Sequence, residues 1–239
     1  MTMSKGVFII GTDTDVGKTV IAAGLALAAR ERKLRVGVMK PVSTGCFVQE
    51  GQLFSQDTLF LLEASGSQES EQANPIRFRN PLAPLAAARE EARPMDTSQI
   101  LRHYEDLKES FEFMIVEGIG GLMVPFTEDY FVYDMVKQFD LPVIIVSRTT
   151  LGTINHTMLT IEVAKARGLN IKGIIFNDFN EAEMSLDERT SPRIISDLSG
   201  VPILGMVPHV EGLFPERLRF GKLKKVITEK VDLDAIFGD

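Results

Sequence analysis

The sequence predicts an α/β fold with a mostly parallel central β-sheet flanked by helices on both faces. Three observations carry this. Short apolar runs alternate with helical segments along most of the chain, the pattern of strands joined by helical crossovers. The runs Met114–Val116, Val143–Val146 and Ile174–Phe176 are apolar without alternation, as expected of strands covered on both faces. The first apolar run enters a glycine-containing turn that opens an apolar helix.

In chain order, Gly6–Ile10 is a predicted strand and Lys18–Arg32 a helix. A strand follows at Arg35–Met39 and a short helix at Asp57–Glu63. Gln68–Pro94 is the least regular stretch, punctuated by Pro75, Pro81, Pro84 and Pro94. Ser98–Ser110 reads as helix, Phe113–Val116 as strand and Asp129–Phe139 as helix. Pro142–Ser147 is a strand, Thr153–Arg167 a helix and Ile171–Phe176 a strand. A helix is expected over Ser191–Leu198, with Ser191 as N-cap and Pro192 in the first turn. Val201–Met206 is the last predicted strand, and Lys222–Asp239 reads as a peripheral helix or tail.

Composition narrows the function classes. With 44% hydrophobic and 25% charged residues, the chain has an ordinary soluble globular make-up, and its length suits one domain spanning residues 1–239. A net charge of −7 speaks against nucleic-acid binding, which draws its affinity from a basic surface. The single cysteine, Cys46, allows no internal disulfide and no multi-cysteine metal site, which fits a reducing cytoplasm. Met1–Lys5 is short and polar, unlike a signal peptide, and no window approaches a membrane span. The expectation is a cytoplasmic protein without a membrane partner.

The strongest local signal is Gly11-Thr-Asp-Thr-Asp-Val-Gly-Lys-Thr19. It follows a strand and opens a helix, the context a phosphate-binding loop requires. Backbone N–H groups and the helix N-terminus can surround phosphate oxygens. Lys18 can reach the β- and γ-phosphates, and the Thr19 hydroxyl can bind Mg2+. The loop is a variant: five residues separate Gly11 from Gly17, and Thr12 takes the usual first-glycine position. The chain is therefore P-loop NTPase-like.

Three further groups follow predicted strands, where ligands of parallel sheets collect. Lys40, in Met39-Lys-Pro-Val-Ser-Thr-Gly45, is a second cation that can hold a carboxylate or carbamate against a γ-phosphate, with Thr44 adding a hydrogen bond. Position alone reads equally well as a solvated lysine. Glu117, in Val116-Glu-Gly-Ile-Gly-Gly121, fits a Mg2+ ligand, and its glycines permit close backbone approach; the alternative is a tight turn with an exposed acid. Asp57 is either a second carboxylate or a helix-initiating residue. Asn177, before Asp178, can pair bidentately with adenine, although an Asn-Asp turn is the commoner use of that pair. Cys46 has no clear histidine partner, and His103, His156 and His209 lack metal-ligand spacing.

Taken together, Gly11–Val20, Lys40–Gly45, Glu117–Gly121, Leu151-Gly-Thr-Ile-Asn-His156 and Asn177-Asp178 resemble, in this order, the dethiobiotin synthetases. The resemblance runs from about Val7 to Val210. It implies an ATP-dependent cyclo-ligase: one amine of 7,8-diaminononanoate takes up CO2, the carbamate is phosphorylated by ATP, and the second amine closes a cyclic urea. Residue by residue, it implies that Lys18 and Lys40 steady the carbamate and the transferring phosphoryl group, helped by Thr14 and Thr44. Asp15, Val16, Gly17, Lys18, Thr19 and Val20 would hold phosphates, and Thr19, Asp57 and Glu117 a Mg2+ ion. Gly118, Ile119 and Gly120 would border the nucleotide. Asn177 and Asp178 would read adenine, with Pro208, His209, Val210 and Glu211 as the adenosine rim. Asn155 would meet the substrate carboxylate from a partner subunit, implying a homodimer with shared sites. Ile119, Leu85 and Thr150 depart from the family pattern at positions expected to bear on the substrate pocket.

Two rivals use the same loop. A carboxylate-activating amidoligase needs a glutaminase domain for which this chain has no spare length. A nucleotide-switched partitioning or metal-insertion protein often carries an extra lysine early in the loop; Gly11–Val16 has none. Arg217–Lys225, the one basic stretch suited to membrane docking, reads as a solvated face.

Overall fold

A computed structural model describes residues 5–68 and 70–238. Six strands form the central sheet: β1 (Lys5–Gly11), β2 (Val36–Met39), β3 (Phe113–Glu117), β4 (Val143–Ser147), β5 (Ile171–Phe179) and β6 (Ile203–Pro208). Their order is β6-β5-β4-β1-β3-β2 and every pairing is parallel.

Ten helices accompany them among the described residues: α1 (Lys18–Glu31), α2 (Gln56–Ser65), α3 (Ser70–Ala73), α4 (Pro84–Glu90) and α5 (Ser98–Ser110), then α6 (Val132–Phe139), α7 (Thr153–Ala166), α8 (Leu186–Ser199), α9 (Leu223–Lys230) and α10 (Leu233–Phe237).

The unbroken apolar strands are buried on both faces. On one face Val7, Ile9, Ile115, Ile144 and Ile175 pack with Ile21 and Leu25 of α1, Phe60 and Leu61 of α2, and Leu223 and Ile227 of α9. On the other, Phe8, Ile10, Val116, Ile145 and Phe176 pack with Ile100 and Tyr104 of α5, Val136 of α6, Ile161 of α7 and Ile195 of α8. Alternate residues of one strand thus feed two separate apolar layers, as the pleat requires.

Two predicted helix starts are corrected. The helix placed at Ser191 begins earlier, at Leu186. Ser185 caps it, accepting from Glu188 N while Glu188 accepts from Ser185 N at 2.9 Å, a reciprocal capping box. Ser191 and Pro192 lie buried inside that helix. The helix expected from Asp129 starts at Val132, because residues just before it are held by backbone bonds from Phe126 N and Thr127 N to Tyr130 O. The Asp134 carboxylate then accepts from Phe131 N at 2.9 Å.

Of the two readings of the C-terminal stretch the helical one holds, as α9 and α10, and these helices are packed in: Leu223, Ile227, Leu233, Ile236 and Phe237 are buried in the layer that covers α1. Arg217–Lys225 is largely exposed, as its reading as a solvated face expects, but Leu223 within it is fully buried. The irregular stretch also holds more than was expected: α3, α4 and a two-residue pairing of Val42–Ser43 with Ile76–Arg77. No helix of the described residues is long and apolar enough to cross a membrane.

Candidate active site

A cavity of about 620 Å3 opens at the carboxyl ends of the central strands. The loop after β1 supplies Thr14, Asp15, Gly17, Lys18, Thr19 and Val20 to its wall. Lys40 and Thr44 come from the segment after β2, and Asp57 from the first turn of α2. Glu117, Ile119 and Gly120 follow from β3 and its turn. Asn177 and Asp178 of β5, with Pro208, His209 and Val210 at the end of β6, complete the opposite wall.

Four predicted residues do not line it. The side chain of Val16 is buried against a neighbouring cavity of about 200 Å3, and Gly118 sits behind the wall with its N–H on Ile9 O at 2.9 Å. Glu211 points to Lys222, whose Nζ it accepts at 2.9 Å. Asn155 lies exposed on the first turn of α7, away from the main cavity. Of the three departures, Ile119 lines the main cavity and Thr150 the smaller one. Leu85 lines neither; it borders a separate cavity beside Arg89 and Phe126. Pro81, Leu213 and Pro215 line the main cavity without having been singled out for it.

Gly17 shows why the loop needs glycine there. Its φ is +91°, in the left-handed region, and a Cβ would lie 2.0 Å from Asn177 Nδ2. Gly17 precedes α1 directly, so Lys18 and Thr19 occupy that helix's first turn.

The charged centre is compact. Lys40 Nζ donates to Glu117 Oε1 at 2.7 Å and also to Asp57 Oδ2. Thr19 Oγ1 donates to the same Glu117 oxygen at 2.8 Å. Lys18 Nζ donates to Asp13 O at 3.0 Å. Lys40, Lys18 and Glu117 are all buried, so none of the solvated or exposed readings of these residues holds. Asp57 meets both of its readings: it sits in the first turn of α2 and its carboxylate faces Lys40.

Burial alone pulls the Lys40 ammonium toward the neutral form, but Glu117 and Asp57 reverse this and hold it charged, above the usual lysine range. Burial lowers the Lys18 pKa, with Glu117 opposing and Lys40 adding to the fall. Burial raises the Glu117 carboxyl, and Lys40 draws it back. Burial pushes the Cys46 thiol up to about 11, so it stays protonated at neutral pH and supplies no nucleophile.

Asn74 is a residue the sequence did not disclose. It is buried, and its Nδ2 donates to Lys40 O at 2.6 Å and to Ser43 Oγ at 3.0 Å. Lys40 N in turn donates to Ala73 O at 2.7 Å. These bonds fix the turn that delivers Lys40.

The fit of a divalent cation can be judged from the donors. Glu117 Oε2 is buried and has no hydrogen-bond partner among the described residues. Glu117, Asp57 and Thr19 line the same cavity, and the Thr19 hydroxyl meets the other Glu117 oxygen. No group of three or more His, Cys, Asp or Glu gathers among the described residues. Such a set suits Mg2+, which binds through one or two carboxylates and completes its shell with phosphates and water.

The chain is similar to known proteins over nearly its whole length. The sequence profile of a family described as an AAA domain matches residues 5–217. A protein named ATP-dependent dethiobiotin synthetase BioD from Thermodesulfovibrio yellowstonii is 39% identical, over 99% of this chain and 100% of that one. One of the same name from Bacillus licheniformis is 41% identical, over 98% of this chain and 96% of that one.

Among solved structures, the septum site-determining protein MinD complexed with Mg-ADP from Pyrococcus horikoshii superposes with a TM-score of 0.60 at 18% identity, covering 99% of this chain and 94% of that one. A ParA family ATPase from Chlorobium tepidum gives 0.54 at 14%, covering 97% and 92%. At such identities these two report the fold alone, that of the P-loop NTPases.

Proposed function

Since the chain belongs to the ATP-dependent dethiobiotin synthetases, a family of ligases in biotin biosynthesis, we propose that its main cavity closes the ureido ring of dethiobiotin. One amine of 7,8-diaminononanoate adds to CO2 and loses a proton, giving a carbamate. A carbamate oxygen attacks the γ-phosphorus of ATP, and the bond to the ADP oxygen breaks. The second amine attacks the carbonyl of the resulting carbamic-phosphoric anhydride. Phosphate leaves, and the ring closes.

Phosphoryl transfer asks mainly for positioning and neutralised charge. The observation that carries the reading is the second buried lysine: Lys40 lines the same cavity as Lys18 although it lies outside the phosphate loop. A plain hydrolase has limited need of it. A ligase that must hold a carbamate anion beside a γ-phosphate gains directly, since a fixed ammonium favours the anion over free amine and CO2. Thr14 and Thr44 line the wall near both lysines and support a carbamate contact.

A Mg2+ ion held by Thr19, Asp57 and Glu117 would neutralise charge developing on the phosphate oxygens. Asn177 and Asp178 would meet adenine, with Pro208, His209 and Val210 as the adenosine rim. Glu211 does not line this wall, and its carboxylate is turned to Lys222. Val16 serves through its N–H, its side chain being turned away.

We read the protein as a cytoplasmic homodimer of single-domain chains. Exposed Leu151, just before α7, and exposed Leu159, one turn after Asn155 on that helix, support a subunit contact there. In that arrangement Asn155 of one subunit would meet the diamine's carboxylate at its partner's cavity.

The test is product analysis. Diamine, bicarbonate and ATP should give dethiobiotin, ADP and phosphate in equal amounts. Steady ATP hydrolysis with no ring product would reject the assignment in favour of a nucleotide switch.

Glu117→Gln should weaken Mg2+-dependent activity, and added Mg2+ should partly restore it, because losing a carboxylate lowers affinity at a hard-cation site. A Mg2+ titration of the reaction reads this directly. An unchanged curve would leave Glu117 as a hydrogen-bond partner of Lys40 and Thr19 and not a metal ligand.

A further inference from the structure

Three carbonyl oxygens of the phosphate loop are each occupied by a side-chain donor. Asp13 O accepts from Lys18 Nζ at 3.0 Å, Asp15 O from Arg148 Nη2 at 2.5 Å, and Val16 O from Asn177 Nδ2 at 3.1 Å. Lys18 belongs to the loop, but Arg148 follows β4 and Asn177 lies in β5. The peptide group is planar and trans, so a carbonyl held on one side sends the following N–H to the other. Fixing Asp15 O and Val16 O therefore fixes the N–H groups of Val16 and Gly17. Left free, either peptide could turn its oxygen toward a phosphate and repel it. Asp15 and Gly17 both have positive φ, at +56° and +91°, a backbone form that gathers N–H groups into an anion-binding concavity.

Arg148 is itself well supported. Its carbonyl accepts from Thr153 Oγ1 at 2.5 Å, and the preceding Ser147 hydroxyl meets Thr153 and Thr157 at 2.9 and 2.8 Å. Its guanidinium is exposed. Asn177 is buried and faces both the loop and the main cavity.

We infer that Arg148 is a positioning residue of the phosphate loop, acting with Asn177: together they hold the Asp15 and Val16 carbonyls aside, so that the loop is set for phosphate before nucleotide arrives. The inference rests on the reading of Asp15–Val20 as the phosphate-holding backbone. Asn177 then has two tasks. One Nδ2 hydrogen goes to Val16 O, while the other and Oδ1 remain for a base edge, since an amide offers two donors and an acceptor.

The test separates phosphate from base by comparing Mg2+–ATP with Mg2+–tripolyphosphate, which has no base, in calorimetric titrations. Arg148→Ala should weaken both ligands equally, about three- to tenfold, the scale of one hydrogen bond, at an unchanged melting temperature. The loss should persist at high salt. Asn177→Ala, which removes no charge, should also weaken tripolyphosphate and should weaken ATP further.

Wild-type protein that binds neither ligand would overturn the phosphate-loop reading and this inference with it. Wild-type binding of both, with tripolyphosphate held as tightly by Arg148→Ala, would overturn the inference alone. So would a loss that vanishes at high salt, which would mark Arg148 as a general attractor of anions.

Discussion

Lys18→Ala is expected to abolish turnover in a protein that still folds, with the loss falling mainly on kcat. Lys18 is buried in the first turn of α1, and the only side-chain hydrogen bond it makes among the described residues is to a carbonyl, Asp13 O. Removing it leaves no buried carboxylate newly unpaired, so the fold should tolerate the change. Its charge matters most as the γ-phosphoryl group moves, and an interaction made mainly in the transition state appears in kcat. A fall of about 100- to 1000-fold or more is the scale of losing one preorganised electrostatic contact. Steady-state kinetics beside a melting curve checks it; wild-type turnover in the folded variant would take the loop out of the mechanism.

The Lys40→Gln variant should keep ATP affinity within a few-fold of wild type and lose ring closure by about 100-fold or more. Gln keeps roughly the length and a donor but drops the charge. In the resting protein that charge lies between Glu117 and Asp57. Breaking a buried ion pair on one side costs about 3–5 kcal/mol, so a lower melting temperature is expected as well, and assays belong well below it. Calorimetry with ATP, run beside dethiobiotin formation, separates the outcomes. Near-normal product formation would remove Lys40 from carbamate handling, and a parallel collapse of ATP affinity would reassign it to the nucleotide.

The central sheet was legible because its strands are buried on both faces and so write continuous apolar runs. The helices that were read well begin where the sequence carries a plain signal, as at Gly17-Lys18. The eighth helix was misread because two competing starts stood close together. Ser191-Pro192 looks like a cap followed by a first-turn proline, but the Ser185–Glu188 box satisfies more of the orphaned N–H groups and wins.

At the site, the identities of Lys18, Lys40, Glu117 and Asn177 were visible because each follows a strand. Their partnerships were not. Lys40 and Glu117 are 77 residues apart in the chain and meet only because β2 pairs with β3. Asn74 gave no signal, since a buried amide holding a backbone carbonyl leaves no pattern in a proline-punctuated stretch. The Val16 carbonyl was equally hidden, because a motif specifies residue types and not the turn of a peptide plane.

The packing of α9 on α1 bears on how the protein is made. Gly24 of α1 has room for no side chain: a Cβ there would lie 2.5 Å from Ile227 Cγ1. Ile227 and Leu223 are fully buried by that contact. The helix that begins with Lys18 therefore leaves the ribosome well before Leu223 and Ile227, the residues that seal it. A nascent chain holding the whole phosphate-loop sequence still shows the outer face of that helix to water. Synthesis from the N-terminus thus delivers the loop early and its structural backing late, and chains interrupted before Leu223 would expose an apolar surface that quality-control proteases and chaperones recognise.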